Sequence, residues 1–385
     1  MPLFCRQQPD RPRTRSVVSV VFLSVIFGFA AGVVGMLLAA VYLVPEPLTA
    51  AIGPTLLTRG RTTAQADKGL ERVAAPAEAS ARSLVLFYPA KGPERAQVAG
   101  REIFLPGEAI GAGMVLTSDG WVVTHSQMLS GRPAKAPSDI IAVIGAKRYP
   151  VKNLVVDGYS GVVFAKVDAI NLPVVSFGDS DGLAAGDSVF AFDASRGPRR
   201  LDVIGLDDRP AAGPADLVRS SERLQKVLRL SSSPGPLPGS MLLDRQGDVM
   251  GVYVGEDGIG AYAVPFGRFS GVIGGVLRDR TAERPLLGVN YLDLAGQRLG
   301  AVKGVLLTDS VDGKRPAVVR HGPAAAAGLL RGDVIVSVNG EDVTANNALS
   351  DLIAEYAPGS SVNLGVERNG AALTVDVTLG EVPVP

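Results

Sequence analysis

The stretch GAGMVLTSDGWVVTHSQML, residues 111–129, decides the fold because it contains the β-rich run MVLTSDGWVVT. This run is rich in β-branched and aromatic side chains. Similar short runs recur from residue 83 to about residue 277, separated by turn clusters. This spacing predicts antiparallel sandwiches or barrels. The 46 glycines, 27 prolines and 5% aromatic content of the chain also favour a mainly β class.

A second informative stretch is SSSPGPLPGSMLLDRQGDVMGVY, residues 231–253. The first stretch resembles the segment that carries the catalytic His in trypsin-fold proteases of the HtrA family, and the second resembles the segment that carries the catalytic Ser. There the His segment reads roughly GSGxxxxxxGxxxTNxHV and the Ser segment GNSGGPLxxxxGxxxG. The resemblance places Gln127 at the His position and Pro238 at the Ser position. A slip of the alignment by one residue would place Leu237 at the Ser position instead, and leucine is no more reactive. The segment GVVFAKVD matches the family's DLAVLKVD and places Gly161 at the orienting Asp. The resemblance therefore implies a degenerate protease with no triad member, and Pro238 also lacks the backbone N–H that the family uses as an oxyanion donor.

Two residues near these positions are candidates for a rearranged site. His125 lies two positions before Gln127, so its side chain starts from a different place along the chain and cannot simply substitute for the missing base. Ser240 follows Gly239, and no nearby base is identifiable from the sequence. We expect an ordinary histidine and a turn serine at these places, and an active endopeptidase with rearranged residues is the alternative.

The order of the β-rich runs matches the two six-stranded barrels of the HtrA protease domain, which predicts a trypsin-like domain at residues 81–280. Its exit segment AYAVPFGRFSGVIGGVL should become a helix after Pro265. The spacing of its apolar side chains allows them to bury one face, and these are Phe266, Phe269, Val272, Ile273 and Val276.

Residues 285–385 resemble a PDZ domain of the HtrA type, an α+β fold, over a continuous register that includes PAAAAGLLRGDVIVSVNGEDV. The Asn339-Gly340 pair predicts a tight hairpin turn. The resemblance implies that an extended C-terminal peptide adds as a strand, with its carboxylate held by backbone N–H groups. The implied peptide-binding residues are Leu286, Leu287, Gly288, Val289, Leu349, Leu352 and Ile353. For Leu352 and Ile353, simple core packing is an equal alternative.

An uncharged apolar run at residues 16–44 predicts one transmembrane helix. At about 1.5 Å per residue, a helix of this length is longer than the roughly 30 Å thickness of the hydrocarbon core. Glu46 follows the run, and four arginines precede it: Arg6, Arg11, Arg13 and Arg15. The positive-inside tendency therefore predicts a cytoplasmic segment at 1–15 and an extracytoplasmic location for the residues after the span. Residues 45–80 contain Pro, Ala, Thr and scattered charges without clear periodicity, which predicts a linker. The alternative is a cleaved signal peptide, but its apolar region is typically about 7–15 residues, roughly half the length of this run.

Composition excludes several function classes. The formal net charge is zero, which argues against nucleic acid as a partner. With one cysteine, Cys5, and two histidines, the chain offers no intramolecular disulfide and no Cys- or His-based metal site, and we expect no cofactor.

The sequence thus predicts a membrane-anchored, extracytoplasmic pseudoprotease of the bacterial periplasm or cell exterior. By resemblance it would bind peptides or unfolded C-termini through its PDZ domain in envelope protein quality control or regulation. The implied assembly is a homotrimer or a complex with an active relative. A third hypothesis is a structural membrane protein whose PDZ groove is occupied by the chain itself.

Overall fold

The structure is a computed structural model that describes residues 80–90, 97–98, 101–130, 137–193, 197–208, 217–231, 235–257, 259–294 and 303–382. The predicted cytoplasmic segment, the predicted span and all but the last residue of the predicted linker lie outside the described residues. No helix among the described residues is long and apolar enough to cross a membrane.

Six strands close a first barrel in the order β1-β4-β5-β8-β7-β6. The strands up to residue 167 are β1 (Leu84–Pro89), β2 (Gln97–Val98), β3 (Arg101–Glu102), β4 (Gly111–Val115), β5 (Trp121–His125), β6 (Ile140–Ile144), β7 (Lys147–Val156) and β8 (Val162–Val167), of which β2 and β3 form a separate hairpin. The opening stretch of the sequence supplies β4 and β5, in which every residue is buried. Met114 lies opposite Val123 across the turn that joins these two strands.

A second barrel follows, with strand order β10-β12-β15-β14-β13-β9. This part of the chain contains β9 (Ser188–Asp193), β10 (Gly197–Asp208), β11 (Val218–Ser220), β12 (Lys226–Ser231), β13 (Met241–Leu243), β14 (Val249–Glu256) and β15 (Ala261–Pro265). The two closed barrels confirm the mainly β prediction. Strand β11 belongs to neither barrel.

The helix predicted after Pro265 is α1 (Gly267–Asp279). It buries Phe269, Val272 and Val276, and the side chains of Phe266 and Ile273 pack partly buried against the same core. The helix ends at Arg280, whose φ of 59° is left-handed. The apolar face predicted from the spacing is therefore the face that covers the second barrel.

The C-terminal domain is a sheet with two short helices. Its elements are β16 (Pro285–Leu286), β17 (Asn290–Asp293), β18 (Val305–Leu307), α2 (Pro323–Ala326), β19 (Val334–Val338), β20 (Glu341–Asp342), α3 (Leu349–Ala354), β21 (Ser361–Arg368), β22 (Ala371–Thr378) and β23 (Gly380–Glu381). Asn339 and Gly340 connect β19 to β20 with φ values of 48° and 85°, which confirms the predicted turn.

The main sheet of this domain has the order β11-β17-β18-β19-β21-β22, with β20 beside β19. Its edge strand, β11, comes from the segment that connects β10 to β12 of the second barrel. The barrel domain thus contributes a strand to the sheet of the domain that follows it.

Candidate functional site

Gln127, which the resemblance places at the catalytic His position, lies in a short 3-10 turn directly after β5. Its backbone N–H donates to Nδ1 of His125 at 3.0 Å, and its own side chain is exposed. Ser130 Oγ lies 3.4 Å from Gln127 Oε1. A primary amide has no basic lone pair near neutral pH, so Gln127 can orient a group but cannot accept a proton from it.

The structure brings His125 and Gly161 together. Gly161 has a φ of 78°, and a Cβ at this position would lie 2.9 Å from His125 Nε2. The buried imidazole therefore fills space that a side chain at position 161 would need. His125 is consequently a buried histidine packed beside Gly161.

Pro238 lies in a turn that packs against the first barrel, where its carbonyl accepts the backbone N–H of Ala112 at 2.8 Å. In a trypsin-type site the two oxyanion donors are the backbone N–H groups of the nucleophile and of the residue two positions before it. The latter position is Pro236, which sequence reasoning overlooked although PGPLP is plain in the sequence. Because proline has no N–H, neither position can donate to an oxyanion.

Ser240, two residues after Pro238, is the candidate for a displaced nucleophile. It is 1% exposed, and its Oγ has no hydrogen-bond partner among the described residues. Its backbone is held on both sides, since its N–H donates to the carbonyl of Leu237 and its carbonyl accepts from Tyr253. A buried hydroxyl with no adjacent base has no route to activation.

The second candidate site is the groove formed by the edge of β17 and the Leu286–Val289 loop that leads into it. Strand β11 pairs antiparallel with β17 at this edge, with Val218 opposite Leu292 and Ser220 opposite Asn290. A PDZ ligand binds in this manner, as an added strand.

The N–H groups of the loop are already bonded to the residues that follow β11. Oε1 of Glu222 accepts from Gly288 N at 2.9 Å and from Leu287 N at 3.3 Å. Ser221 Oγ accepts from Val289 N at 3.2 Å, and the Ser221 N–H donates to the Val289 carbonyl at 3.1 Å. A side-chain carboxylate thus occupies the place where the resemblance expects a terminal carboxylate.

The apolar residues predicted to line the groove are all inside. One core cluster contains Leu287, Val289, Leu349, Leu352 and Ile353, each at most 3% exposed. Leu286 is half-buried in β16, and Gly288 has a φ of 81°. In this conformation Leu352 and Ile353 pack within this core cluster.

Charged groups fasten the two domains beside this groove. Arg284 donates to both carboxylate oxygens of Asp157, at 3.0 and 2.7 Å. The Tyr159 hydroxyl donates to Asp351 Oδ1 on α3 at 2.6 Å, and Arg268 lies 3.3 Å from Oδ2. Burial, and then the Asp351 carboxylate, raise the pKa of the Tyr159 phenol well above its ordinary value. The phenol therefore stays protonated and keeps its hydrogen bond.

Among the residues that the structure describes, no group of three or more His, Cys, Asp and Glu side chains could hold a metal ion.

Known proteins match both the C-terminal domain alone and most of the chain. The family profile described as PDZ domain matches residues 285–379. A Chlamydia muridarum protein named probable periplasmic serine endoprotease DegP-like is 29% identical over 285 residues, which are 71% of this chain and 54% of the relative. A Halomonas elongata protein of the same name is 27% identical over 298 residues, with 71% and 57% covered. The chain spans little more than half the length of these relatives.

Solved structures support the fold. The HtrA-type protease AlgW with tripeptide has a TM-score of 0.58 at 21% identity, with 81% of this chain and 98% of that chain covered. AlgW with decapeptide gives the same score and identity, with 81% and 99% covered. Together with the sequence matches, these similarities confirm the resemblance inferred from the motifs.

Proposed function

We propose that this chain, whose sequence and fold resemble those of the PDZ-containing HtrA-type proteases, is an extracytoplasmic, membrane-anchored protein that binds peptides without cleaving them. The apolar run at residues 16–44 and the arginines before it support an anchor with a cytoplasmic N-terminus. The word periplasmic in the names of both relatives supports the location of the folded domains. Envelope protein quality control, as a homotrimer or beside an active relative, is the role that fits these features.

One observation carries the non-cleaving part of the proposal. The turn that should present a nucleophile and two oxyanion donors has prolines at both donor positions, Pro236 and Pro238. Acyl transfer needs a nucleophile, a base and oxyanion donors, and the positions that the resemblance assigns supply none of them. The rearranged endopeptidase has no comparable support, because Ser240 is buried and His125 is packed against Gly161.

We expect the purified full chain to hydrolyse casein and unfolded peptides no faster than a buffer blank. A serine-directed fluorophosphonate should leave the chain unlabelled. The variant Pro238→Ser should not restore turnover, since Gln127 cannot accept the proton and Gly161 cannot orient a base.

Ser240→Ala provides the matched control for this measurement. Turnover by the wild-type chain that disappears in Ser240→Ala would refute the pseudoprotease proposal and favour the rearranged endopeptidase.

The binding part rests on the Leu286–Val289 loop, whose converging N–H groups already hold a carboxylate. We expect a peptide with a free C-terminal carboxylate and an apolar last residue to bind the full chain at least about tenfold more tightly than the same peptide amidated, a difference of about 1.4 kcal/mol. The reason is that a hydrogen bond to a charged group contributes about 1.5–3 kcal/mol. Fluorescence anisotropy with paired peptides measures this difference, and equal binding of the two forms would remove the loop from the recognition site.

A further inference from the structure

Strand β11 and the two residues after it have the contacts of a bound ligand. The strand continues the sheet at β17, Ser221 continues the ladder at Val289, and Glu222 ends it with a carboxylate on the loop N–H groups. The ligand-binding groups of the loop are therefore satisfied from within the chain. From these contacts we infer that residues 218–222 are an internal ligand, and that a C-terminal peptide binds by displacing them. This inference rests on the proposed peptide-binding function.

The hydrogen bonds of Glu222 explain why a carboxylate is favoured beside the N–H groups of the loop. Its Oε1 accepts two backbone N–H groups from the loop, and its Oε2 accepts from Ser220 Oγ at 2.7 Å. Anionic acceptors on converging backbone N–H groups make stronger hydrogen bonds than neutral ones do. A competitor that brings a carboxylate of its own replaces this acceptor with one of equal charge, whereas a neutral acceptor makes weaker hydrogen bonds to the loop N–H groups.

The neighbouring surface fits an anionic competitor. A cavity of ≈ 530 Å³ adjoins the internal ligand at Ser220 and Arg223, and β17 reaches it at Asn290. Its other lining side chains include Lys314 and Arg315 beside a single carboxylate, Asp312. Cationic side chains predominate there, so an incoming carboxylate is favoured electrostatically as it approaches.

Displacement sets the apparent affinity. A peptide that binds only the open groove has its affinity reduced by the fraction of molecules in which the internal ligand is detached. Weakening the internal ligand should therefore tighten peptide binding without any new contact to the peptide. The same peptide should leave residues 217–224 accessible, since their strand pairing is lost when it binds.

Two variants of the full chain, purified in mild detergent, compare a weakened internal ligand with a matched control. Glu222→Gln keeps the size of the side chain but removes its charge, and we expect about tenfold tighter binding of a free-acid peptide. Glu367→Gln makes the same charge change on an exposed side chain of β21 and should bind like the wild type.

A disulfide between β11 and β17 would hold the internal ligand in the groove. Asn290 turns its backbone N–H and carbonyl toward Ala317 and Thr308, so its pair with Ser220 exchanges no backbone hydrogen bonds. By the alternation of an antiparallel ladder, the same holds for Val218 and Leu292. Such pairs have Cα atoms about 4.5 Å apart, within the range of a disulfide. The variant Val218→Cys/Leu292→Cys, in a Cys5→Ser background, should therefore form a disulfide on oxidation.

The oxidised variant should bind the peptide at least about tenfold more weakly than its reduced form, and reductant should restore binding. Three probes identify the source of the carboxylate: a free-acid peptide, its amide, and a doubly capped peptide with the sequence of residues 218–222. Competition by the capped peptide and not by the amide would point to internal acidic segments of a partner as further ligands.

The outcomes separate the two proposals. Equal peptide binding by wild type, Glu222→Gln and the oxidised lock would overturn the internal-ligand inference and leave the peptide-binding function standing. Failure of the lock to form would also overturn it. A lock that forms, with no binding by any form including Glu222→Gln, would refute the peptide-binding function and leave the strand as a fixed structural contact.

Discussion

Replacing Arg284 with alanine should lower the free energy of unfolding by about 3–5 kcal/mol, because it leaves the carboxylate of Asp157 buried without its partner. The Asp157 side chain is 0% exposed and that of Arg284 is 9% exposed. The guanidinium also donates to the Arg268 carbonyl at 2.8 Å and lies 4.8 Å from the centre of the Tyr159 ring. All of these contacts are lost together.

Urea denaturation of the full chain, followed by near-ultraviolet circular dichroism, measures this loss. Arg278→Ala is the control, because its side chain is 75% exposed and its ion pair with the neighbouring Asp279 is 3.8 Å long. It should change stability by less than about 0.5 kcal/mol. A loss below about 1 kcal/mol for Arg284→Ala would mean that water reaches Asp157 and that the pair does not fasten the two domains.

Much of the fold could be predicted because it depends on local patterns. The β-rich run MVLTSDGWVVT indicates the β structure that becomes β4 and β5, and the helix α1 follows from apolar spacing after Pro265. The Asn339-Gly340 turn follows from residues that tolerate positive φ. In each case a few consecutive residues carry enough information to specify the element.

The occupied groove could not be predicted in this way. Strand β11 has only three residues, Val-Arg-Ser, which show no alternation that distinguishes a strand from a loop. Its partner β17 is about seventy residues further along the chain, and Glu222 meets Gly288 across a separation of 66 residues. This pairing depends on how one domain docks on the other, which no local periodicity encodes.

The candidate catalytic positions were predicted in part. The replacements at Gln127, Gly161 and Pro238 are visible in the sequence, and so is Pro236 once both oxyanion donors are considered. The position of the His125 ring beside Gly161 could not be predicted in the same way. It depends on the space that glycine leaves between the end of β5 and the start of β8. Such packing becomes visible only when β5 and the turn before β8 are brought together.

Substituting alanine for Gly239 should destabilise the barrels by about 2–5 kcal/mol. Gly239 follows Pro238 with a φ of 86°, and an added Cβ would lie 2.1 Å from the Ala112 carbonyl oxygen and 2.2 Å from Thr124 Oγ1. The left-handed conformation costs a non-glycine residue roughly 1–2 kcal/mol, and overpacking of a filled site costs about 1–3 kcal/mol more. Thr124 cannot easily move away, since its hydroxyl donates to that carbonyl at 2.6 Å.

Gly182→Ala is the matched control, because no heavy atom lies within 4 Å of a Cβ at that exposed position, so stability should change by less than about 0.5 kcal/mol. Thermal and urea unfolding of both variants measure the difference. The turn packs where the two barrels meet, so its geometry is held by β4 and β5 independently of any catalytic role. A loss below about 1 kcal/mol for Gly239→Ala would mean that the turn adopts another conformation, and the position of Pro238 beside Ala112 would then no longer hold.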